Sequence, residues 1–340
     1  MRILVTGSAG HLGEALVRTL RAEERDVVGL DLLPSPFTDV EGSIADRQLV
    51  ARAMRGVDAV LHTATLHKPH VATHSRQDFL DTNVTGTLNL LEEAVAAGID
   101  AFVFTSTTST FGRALVPPAG QPTAWITEDV TPEPKNIYGV TKCAAEGLCE
   151  LFHRQFDLPC LILRTSRFFI EVDDSKARRD AFDDANLKAN EYLSRRVEIE
   201  DVVGAHQRAI ERASDIGFGR YIISATTPFS PDDLAELRSN APAVVARLIP
   251  GFVDEYASRG WKMNDGLDRV YVNARAREEL GWRPRYDYAT VLDHLREERE
   301  PRSELSRLIG AKPYHAEAFE DGPYPVDRAD GETVPGTVSP

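Results

Sequence analysis

Tyr138 and Lys142 stand four residues apart in Tyr138-Gly-Val-Thr-Lys142. On a helix that spacing puts a phenol and an ammonium on one face. An ammonium nearby lowers a phenol's pKa, so that the phenol takes or returns a hydroxyl proton near neutral pH. Taken alone, the pair reads as a surface aromatic beside a solvated lysine, because this spacing occurs often by chance. Upstream, Phe104-Thr-Ser-Thr-Thr-Ser-Thr-Phe-Gly112 reads as a strand end crowded with hydroxyls, one of which can hold a reacting substrate oxygen. Its plain alternative is a threonine-rich strand end. A third constellation opens the chain: Gly7, Gly10 and Gly13 follow the apolar run Arg2–Thr6. Gly7 permits a tight turn, Gly10 lets backbone approach a pyrophosphate, and Gly13 lets a helix sit close to the strand, whose N-terminal N–H groups then face phosphates. Asp31 ends the second apolar run, where a carboxylate accepts hydrogen bonds from a ribose 2′-OH and repels a 2′-phosphate. Leu32-Leu33 follow, with no Arg or Lys, which points to NAD rather than NADP.

These residues need a scaffold that brings strand ends to one edge. Apolar runs at Arg2–Thr6, Asp26–Asp31, Val57–His62, Ala101–Ser106 and Pro159–Arg164 predict strands. Helical spacing predicts helices over Leu12–Arg21, Asp46–Met54, Phe79–Ala97 and Tyr138–Phe156. Alternating strands and helices, with several strands apolar throughout, make an α/β protein whose parallel sheet is covered on both faces. Beyond Arg164 the alternation loosens. The charged stretch Glu171–Asp184 reads as a solvated loop or lid, Arg196–Ala213 as a strand end and helix, Tyr221–Ala225 as a strand, and Asn273–Leu280 as a helix. The expected division is residues 1–165, a dinucleotide-binding domain; 166–320, a mixed substrate lobe interleaved with the last strands; and 321–340, a mobile tail.

Composition narrows the partners. The chain has 340 residues, and 53 acidic against 39 basic residues give a net charge of −14, which argues against nucleic acid. Three cysteines, Cys143, Cys149 and Cys160, lack metal-site spacing and read as free thiols in a reducing compartment. No secretory segment precedes the first strand, and no apolar run approaches the roughly 18 residues of a membrane span. A cytoplasmic protein without membrane partners is expected.

Together the motifs resemble the extended branch of the short-chain dehydrogenase/reductase superfamily, the NAD-dependent epimerase/dehydratase family. Thr6-Gly-Ser-Ala-Gly-His-Leu-Gly13 resembles its TGxxGxxG turn, and Val57-Asp-Ala-Val-Leu-His-Thr-Ala64 its strand ending in H-x-A. Asn83-Val-Thr-Gly-Thr87 is similar to its N-V-x-G-T helix, Tyr138–Lys142 to its YxxxK pair, and Gly281-Trp-Arg-Pro284 to its GW-x-P element. The resemblance implies a Rossmann-type doubly wound sheet with a smaller C-terminal substrate lobe. It implies that Gly7, Gly10, His11, Leu12 and Gly13 hold the pyrophosphate of NAD and Asp31 the adenosine ribose. Ile44 would lie against adenine, with Ala64, Asn83 and Thr105 toward the nicotinamide. Thr107 would be the catalytic hydroxyl with Thr108 beside it, Tyr138 the acid/base, and Lys142 a contact to the nicotinamide ribose.

The departures narrow the substrate. Gly42-Ser43-Ile44 replaces Gly-Asp-Ile, and Thr108-Ser109 stands where 4,6-dehydratases carry an Asp-Glu pair. Arg167 follows Leu163-Arg164-Thr165-Ser166, where nucleotide-sugar members carry an asparagine, and only a short charged stretch separates it from Arg195-Arg196. The late arginine that binds a diphosphate has Lys262 as its nearest candidate. The short insertion and Tyr138-Gly-Val-Thr-Lys-Cys143 are closer to uronate dehydrogenases. Arg167 either binds a substrate carboxylate or phosphate or pairs with Glu171 or Asp173. His67 sits where some epimerases carry a lysine, which makes it a candidate contact to cofactor or substrate. His62, His67, His70 and His74 crowd one segment without ligand spacing, and no metal is expected.

The expected activity is NAD-dependent epimerisation of a sugar or nucleotide sugar, by hydride transfer at a secondary alcohol. The alternatives are a dehydrogenase of a free sugar acid or polyol and, with less support, a non-catalytic NAD-binding regulator, since fold alone does not fix function. A homodimer through the Tyr138 helix and its neighbour is expected, with Leu88, Leu91, Leu148 and Leu151 available to it.

Overall fold

Along the first strand, Ile3 and Val5 pack into one buried cluster and Leu4 into another. A strand with helices on both faces has no polar side, which is why this run is apolar throughout. A computed structural model describes residues 1–313, His315 and Phe319. The expected tail, 321–340, lies outside the described residues.

The strands are β1 (Arg2–Thr6), β2 (Asp26–Asp31), β3 (Val40–Glu41), β4 (Ala59–His62), β5 (Ala101–Thr107), β6 (Ala124–Ile126), β7 (Cys160–Thr165), β8 (Phe218–Ile223) and β9 (Arg269–Tyr271). Seven form one sheet in the order β3-β2-β1-β4-β5-β7-β8, parallel at every pairing. The winding reverses between β1 and β4. The loops leaving those two strands therefore diverge and open a crevice at their C-terminal ends, where ligands of open α/β sheets bind. The helices His11–Ala22 and Ile199–Ile216 cover one face, and Gly86–Ala97 and Ile137–Phe156 the other.

The structure corrects several expectations. The helix expected over 79–97 is split: Leu80–Thr85 forms a π-helical turn between Arg76–Phe79 and Gly86–Ala97. The charged stretch expected as a loop contains a helix, Lys176–Ala181, and runs into another, Asp184–Glu191. The strand expected over Tyr221–Ala225 is β8, displaced toward the N-terminus. Strands β6 and β9, each three residues long, pair in a separate parallel sheet. A piece of the first 165 residues thus joins the later lobe, whose own core includes Phe252, Tyr256, Val270 and Tyr288. Leu91 is fully buried in the sheet core and unavailable for self-association, whereas Leu88, Leu148 and Leu151 are half-buried. No described helix is long and apolar enough to cross a membrane.

Candidate active site

A cleft of about 880 Å³ runs along the C-terminal edge of the sheet, from Asp31 and Ile44 at one end to Arg167 and Arg269 at the other. The glycine turn forms its floor. Gly7 has φ +74°, and a Cβ there would stand 2.7 Å from the Ala64 amide nitrogen. A Cβ on Gly13 would sit inside the Gly7 carbonyl group. Gly10 is different: its Cβ would meet only the Gly7 carbonyl oxygen at 3.2 Å, and the residue is exposed to the cleft. Gly10 also caps the His11–Ala22 helix without a side-chain hydrogen bond, leaving the helix's first N–H groups directed at the cleft beside His11 and Leu12. The Asp31 carboxylate accepts hydrogen bonds from the Ala9 and Leu33 amides, each at 2.9 Å, which fixes it at the cleft wall. Ile44 is buried against Gly86, where a Cβ would be only 2.6 Å from Ile44 Cδ1. These features form a cradle that fits a dinucleotide, with the glycines removing side chains where phosphates need backbone.

Tyr138 enters the cleft from the first turn of the Ile137–Phe156 helix, which Asn136 caps by accepting the Gly139 amide at 3.1 Å. Tyr138 and Thr107 line the cleft together. Burial pushes the phenol up to about 12, and the nearby Thr107 hydroxyl pulls the other way. Thr107 accepts the Ser109 amide at 3.1 Å, so its rotamer is held. Lys142 lies beneath the cleft surface, 2% exposed. Its ammonium donates to the Thr105 carbonyl at 2.6 Å and stands 4.0 Å from the centre of the Phe104 ring. Burial pulls Lys142 down to about 7, with Glu146 opposing. The expected direct effect of Lys142 on Tyr138 is therefore not what dominates the phenol here; burial does. Thr105 contributes its carbonyl, because its hydroxyl is bonded to His206 Nε2 at 2.7 Å behind the sheet.

Asn83 does not line the cleft. From the π-turn its amide accepts the Leu66 N–H (2.8 Å) and the Thr65 hydroxyl (3.0 Å), and donates to the Leu66 carbonyl (2.8 Å) and the Thr141 hydroxyl (3.0 Å). It clamps the loop after β4, and with it Ala64, to the Tyr138 helix. His62 is likewise structural: buried, it bridges the Thr6 and Thr87 hydroxyls.

At the substrate end His67 stacks near Phe169 (5.6 Å between centroids) and faces Tyr138 at 6.4 Å. Burial pushes its pKa well down, so it presents a neutral imidazole rather than a lysine-like cation. Thr108 lines the cleft beside Thr107. Arg167 lines it too, with carboxylate oxygens of Asp174 and Glu191 at 3.9 and 3.8 Å, whereas Glu171 pairs with His11 and Asp173 with Arg178 and Arg195. Lys262 is exposed and is not among the cleft-lining residues. No group of His, Cys, Asp and Glu that could hold a metal ion occurs among the described residues. Three cleft residues escaped the sequence reading: Glu171 as the partner of His11, Arg269, and Lys312, whose ammonium reaches the Ala9 carbonyl at 2.6 Å. A partner more than 300 residues away leaves no local signal.

The family model described as "NAD dependent epimerase/dehydratase family" matches residues 3–185, more than half of the chain. The chain belongs to this family. Among its relatives, a UDP-glucose 4-epimerase of Rhizobium meliloti (strain 1021) is 28% identical over 332 residues, covering 86% of this chain and 94% of the relative. A 3-beta-hydroxysteroid dehydrogenase of Mycolicibacterium neoaurum is 36% identical over 118 residues, 32% of each chain. Among solved structures, a short-chain dehydrogenase/reductase superfamily protein from Agrobacterium tumefaciens with bound NAD is 26% identical, with a TM-score of 0.62 over 88% of this chain and 95% of the other.

Proposed function

We propose that this chain is an NAD-dependent sugar epimerase acting at a secondary alcohol, with Tyr138 as the acid/base. The observation that carries this reading is that Tyr138, Thr107 and Thr108 line one cleft with the glycine cradle and Asp31, with the buried Lys142 ammonium held by the Thr105 carbonyl at 2.6 Å. In the proposed complex Gly7, Gly10, Gly13 and the helix N–H groups at His11 and Leu12 hold the pyrophosphate, and Asp31 takes the ribose hydroxyls. Ile44 lies against adenine, and Ala64 and the Thr105 strand end flank the nicotinamide. Bound in its oxidised form, NAD supplies a hydride acceptor and a positive charge. Tyr138 and Thr107 hold the substrate hydroxyl between two oxygens, and Tyr138 Oη takes its proton and returns it. Lys142, fixed by the Thr105 carbonyl, keeps a cation below that pair. Thr108 and the neutral His67 line the substrate side. Asn83 is a positioning residue.

A second reading, a dehydrogenase of a free sugar acid, draws on one observation. The short segment between Arg167 and Arg195 is pinned over the cleft by His11–Glu171 and Lys68–Asp174 contacts of 2.5 and 2.7 Å, which suits a small substrate. The deciding experiment mixes the purified protein and NAD with UDP-sugars, free uronic acids and free aldoses. NADH absorbance and epimer ratio by NMR are followed separately. Epimer interconversion without net NADH is the expected result, and NADH from a free uronate establishes the second reading. Turnover of no sugar in any arm overturns both.

A further inference from the structure

Most cations around the cleft are neutralised within the protein. Lys68 pairs with Asp174 at 2.7 Å, Lys312 with Glu14 at 2.5 Å, and Arg195 with Asp173 at 2.5 Å. Arg167, the candidate from sequence, stands near Asp174 and Glu191. Arg269 is built differently. Among the described residues no carboxylate lies within ion-pair distance of its guanidinium and no group accepts a hydrogen bond from it, although its Nε is buried. The neighbouring Asp268 is occupied by Arg238. The Tyr271 ring, 5.9 Å from Arg269 Cζ, is its remaining neighbour of note.

The fold places this arginine at the reacting end. Tyr271, two residues further along β9, shares a buried cluster with Phe111, and Leu115 packs against it. Both belong to the segment that leaves Thr107, and Thr108, Leu115, Arg269 and Tyr271 line the same cleft wall. Asp31 and the glycine cradle belong to the cofactor end. A partly desolvated guanidinium without an acceptor is unfavourable unless a ligand completes it. Its planar fork matches two oxygens of a carboxylate or phosphate better than a neutral sugar hydroxyl.

The geometry points to an anion-binding subsite at Arg269, so that the sugar turned over here carries a carboxylate or a phosphate. This rests on the cleft being a sugar-oxidising site, as proposed above. Arg167, with two carboxylates beside it, shapes the pocket, while Arg269 supplies the charge that anchors the substrate.

The test uses the full chain loaded with NAD and calorimetric titration of four probes: glucuronate, UDP, UDP-glucose and neutral glucose. The wild type binds at least one anionic probe and glucose far more weakly. Arg269→Met weakens that probe about 10- to 100-fold, the range expected for losing charge-assisted hydrogen bonds, and Arg269→Lys recovers part of it. NAD affinity stays unchanged in both variants, which reports that they fold; Arg269→Gln is the second neutral variant. An effect confined to glucuronate identifies a carboxylate, and one on UDP and UDP-glucose a diphosphate. Equal binding of every anionic probe by wild type and both neutral variants, or no anionic binding by the wild type, overturns the inference. Arg269-dependent binding with no turnover of any sugar overturns the functional reading and leaves the anion subsite standing. Turnover of an acidic sugar with the same KM in Arg269→Met does the reverse.

Discussion

Gly10 and Gly13 lie three residues apart in one turn, yet substituting them should do different things. An alanine Cβ at Gly13 would collide with the Gly7 carbonyl carbon and oxygen, which are backbone and cannot rotate away. Either the turn or the helix must move, at a cost of about 2–4 kcal/mol, in the range of overpacked sites. At about 2.1 cal/mol/K of unfolding entropy per residue, that lowers Tm by about 3–6 °C in a chain of 340 residues. At Gly10 the same Cβ meets one oxygen at 3.2 Å and otherwise faces the cleft. Exchanging glycine for alanine at a helix N-cap changes stability by less than about 1 kcal/mol. The added methyl instead occupies the position from which a pyrophosphate would touch backbone, and NAD affinity should fall about tenfold or more, equivalent to about 1.4 kcal/mol. Denaturant unfolding reads the first quantity, and NADH fluorescence titration of the folded variants the second. Gly10→Ala that binds NADH like the wild type, or that loses as much stability as Gly13→Ala, would refute the assignment of Gly10 to the ligand and Gly13 to the fold.

Asn83→Ala removes four hydrogen bonds and leaves the Leu66 amide without a partner. A loss of about 2–4 kcal/mol in urea unfolding is expected, together with weaker NAD binding as Ala64 loses its support. The segment after Arg167 should loosen in acid. Burial alone would raise the Glu171 carboxyl, but the His11 hydrogen bond and charge outweigh it and hold it below its usual value; Asp174 is likewise held down by Lys68 and Arg167 against its burial. With folded pKa values depressed, the unfolded chain binds more protons in the window below about pH 4.5. The tether is therefore fully present above that window and is lost as pH falls through it. Hydrogen exchange over residues 171–184, corrected for intrinsic rates, should be flat above about pH 4.5 and accelerate as pH falls below it, and Lys68→Met should shift the onset to higher pH. An unchanged profile in that variant would mean that Asp174 does not hold the segment.

How much could be read in advance follows from the range of each interaction. β1 and β2 were legible residue for residue because apolar runs and the glycine turn are local signals. The Tyr138 helix was legible from its YxxxK face. The π-turn at Leu80–Thr85 was not, since its residues suit an α-helix and only the Asn83 clamp to Leu66 and Thr141 favours the wider turn. β6 and β9 are too short for a period-two pattern, so the sheet that carries Arg269 left no trace. Arg167 stood out because it follows a recognisable strand, while Arg269 sits in a run without a motif. The charged stretch after Glu171 looked like a solvated loop because charge usually marks solvent. Here Glu171, Asp173 and Asp174 find partners on other elements, His11, Arg195 and Lys68, and helices form around them.

The most direct test is single-turnover kinetics of Tyr138→Phe with whichever sugar the wild type turns over. The phenylalanine keeps the ring and its packing and removes the phenol oxygen from the cleft that Thr107 also lines. If Tyr138 moves the proton, the chemical step slows by about 10²- to 10⁴-fold while NAD affinity is unchanged. A rate within about threefold of the wild type, less than 1 kcal/mol of barrier, would contradict the account and move the acid/base role away from Tyr138.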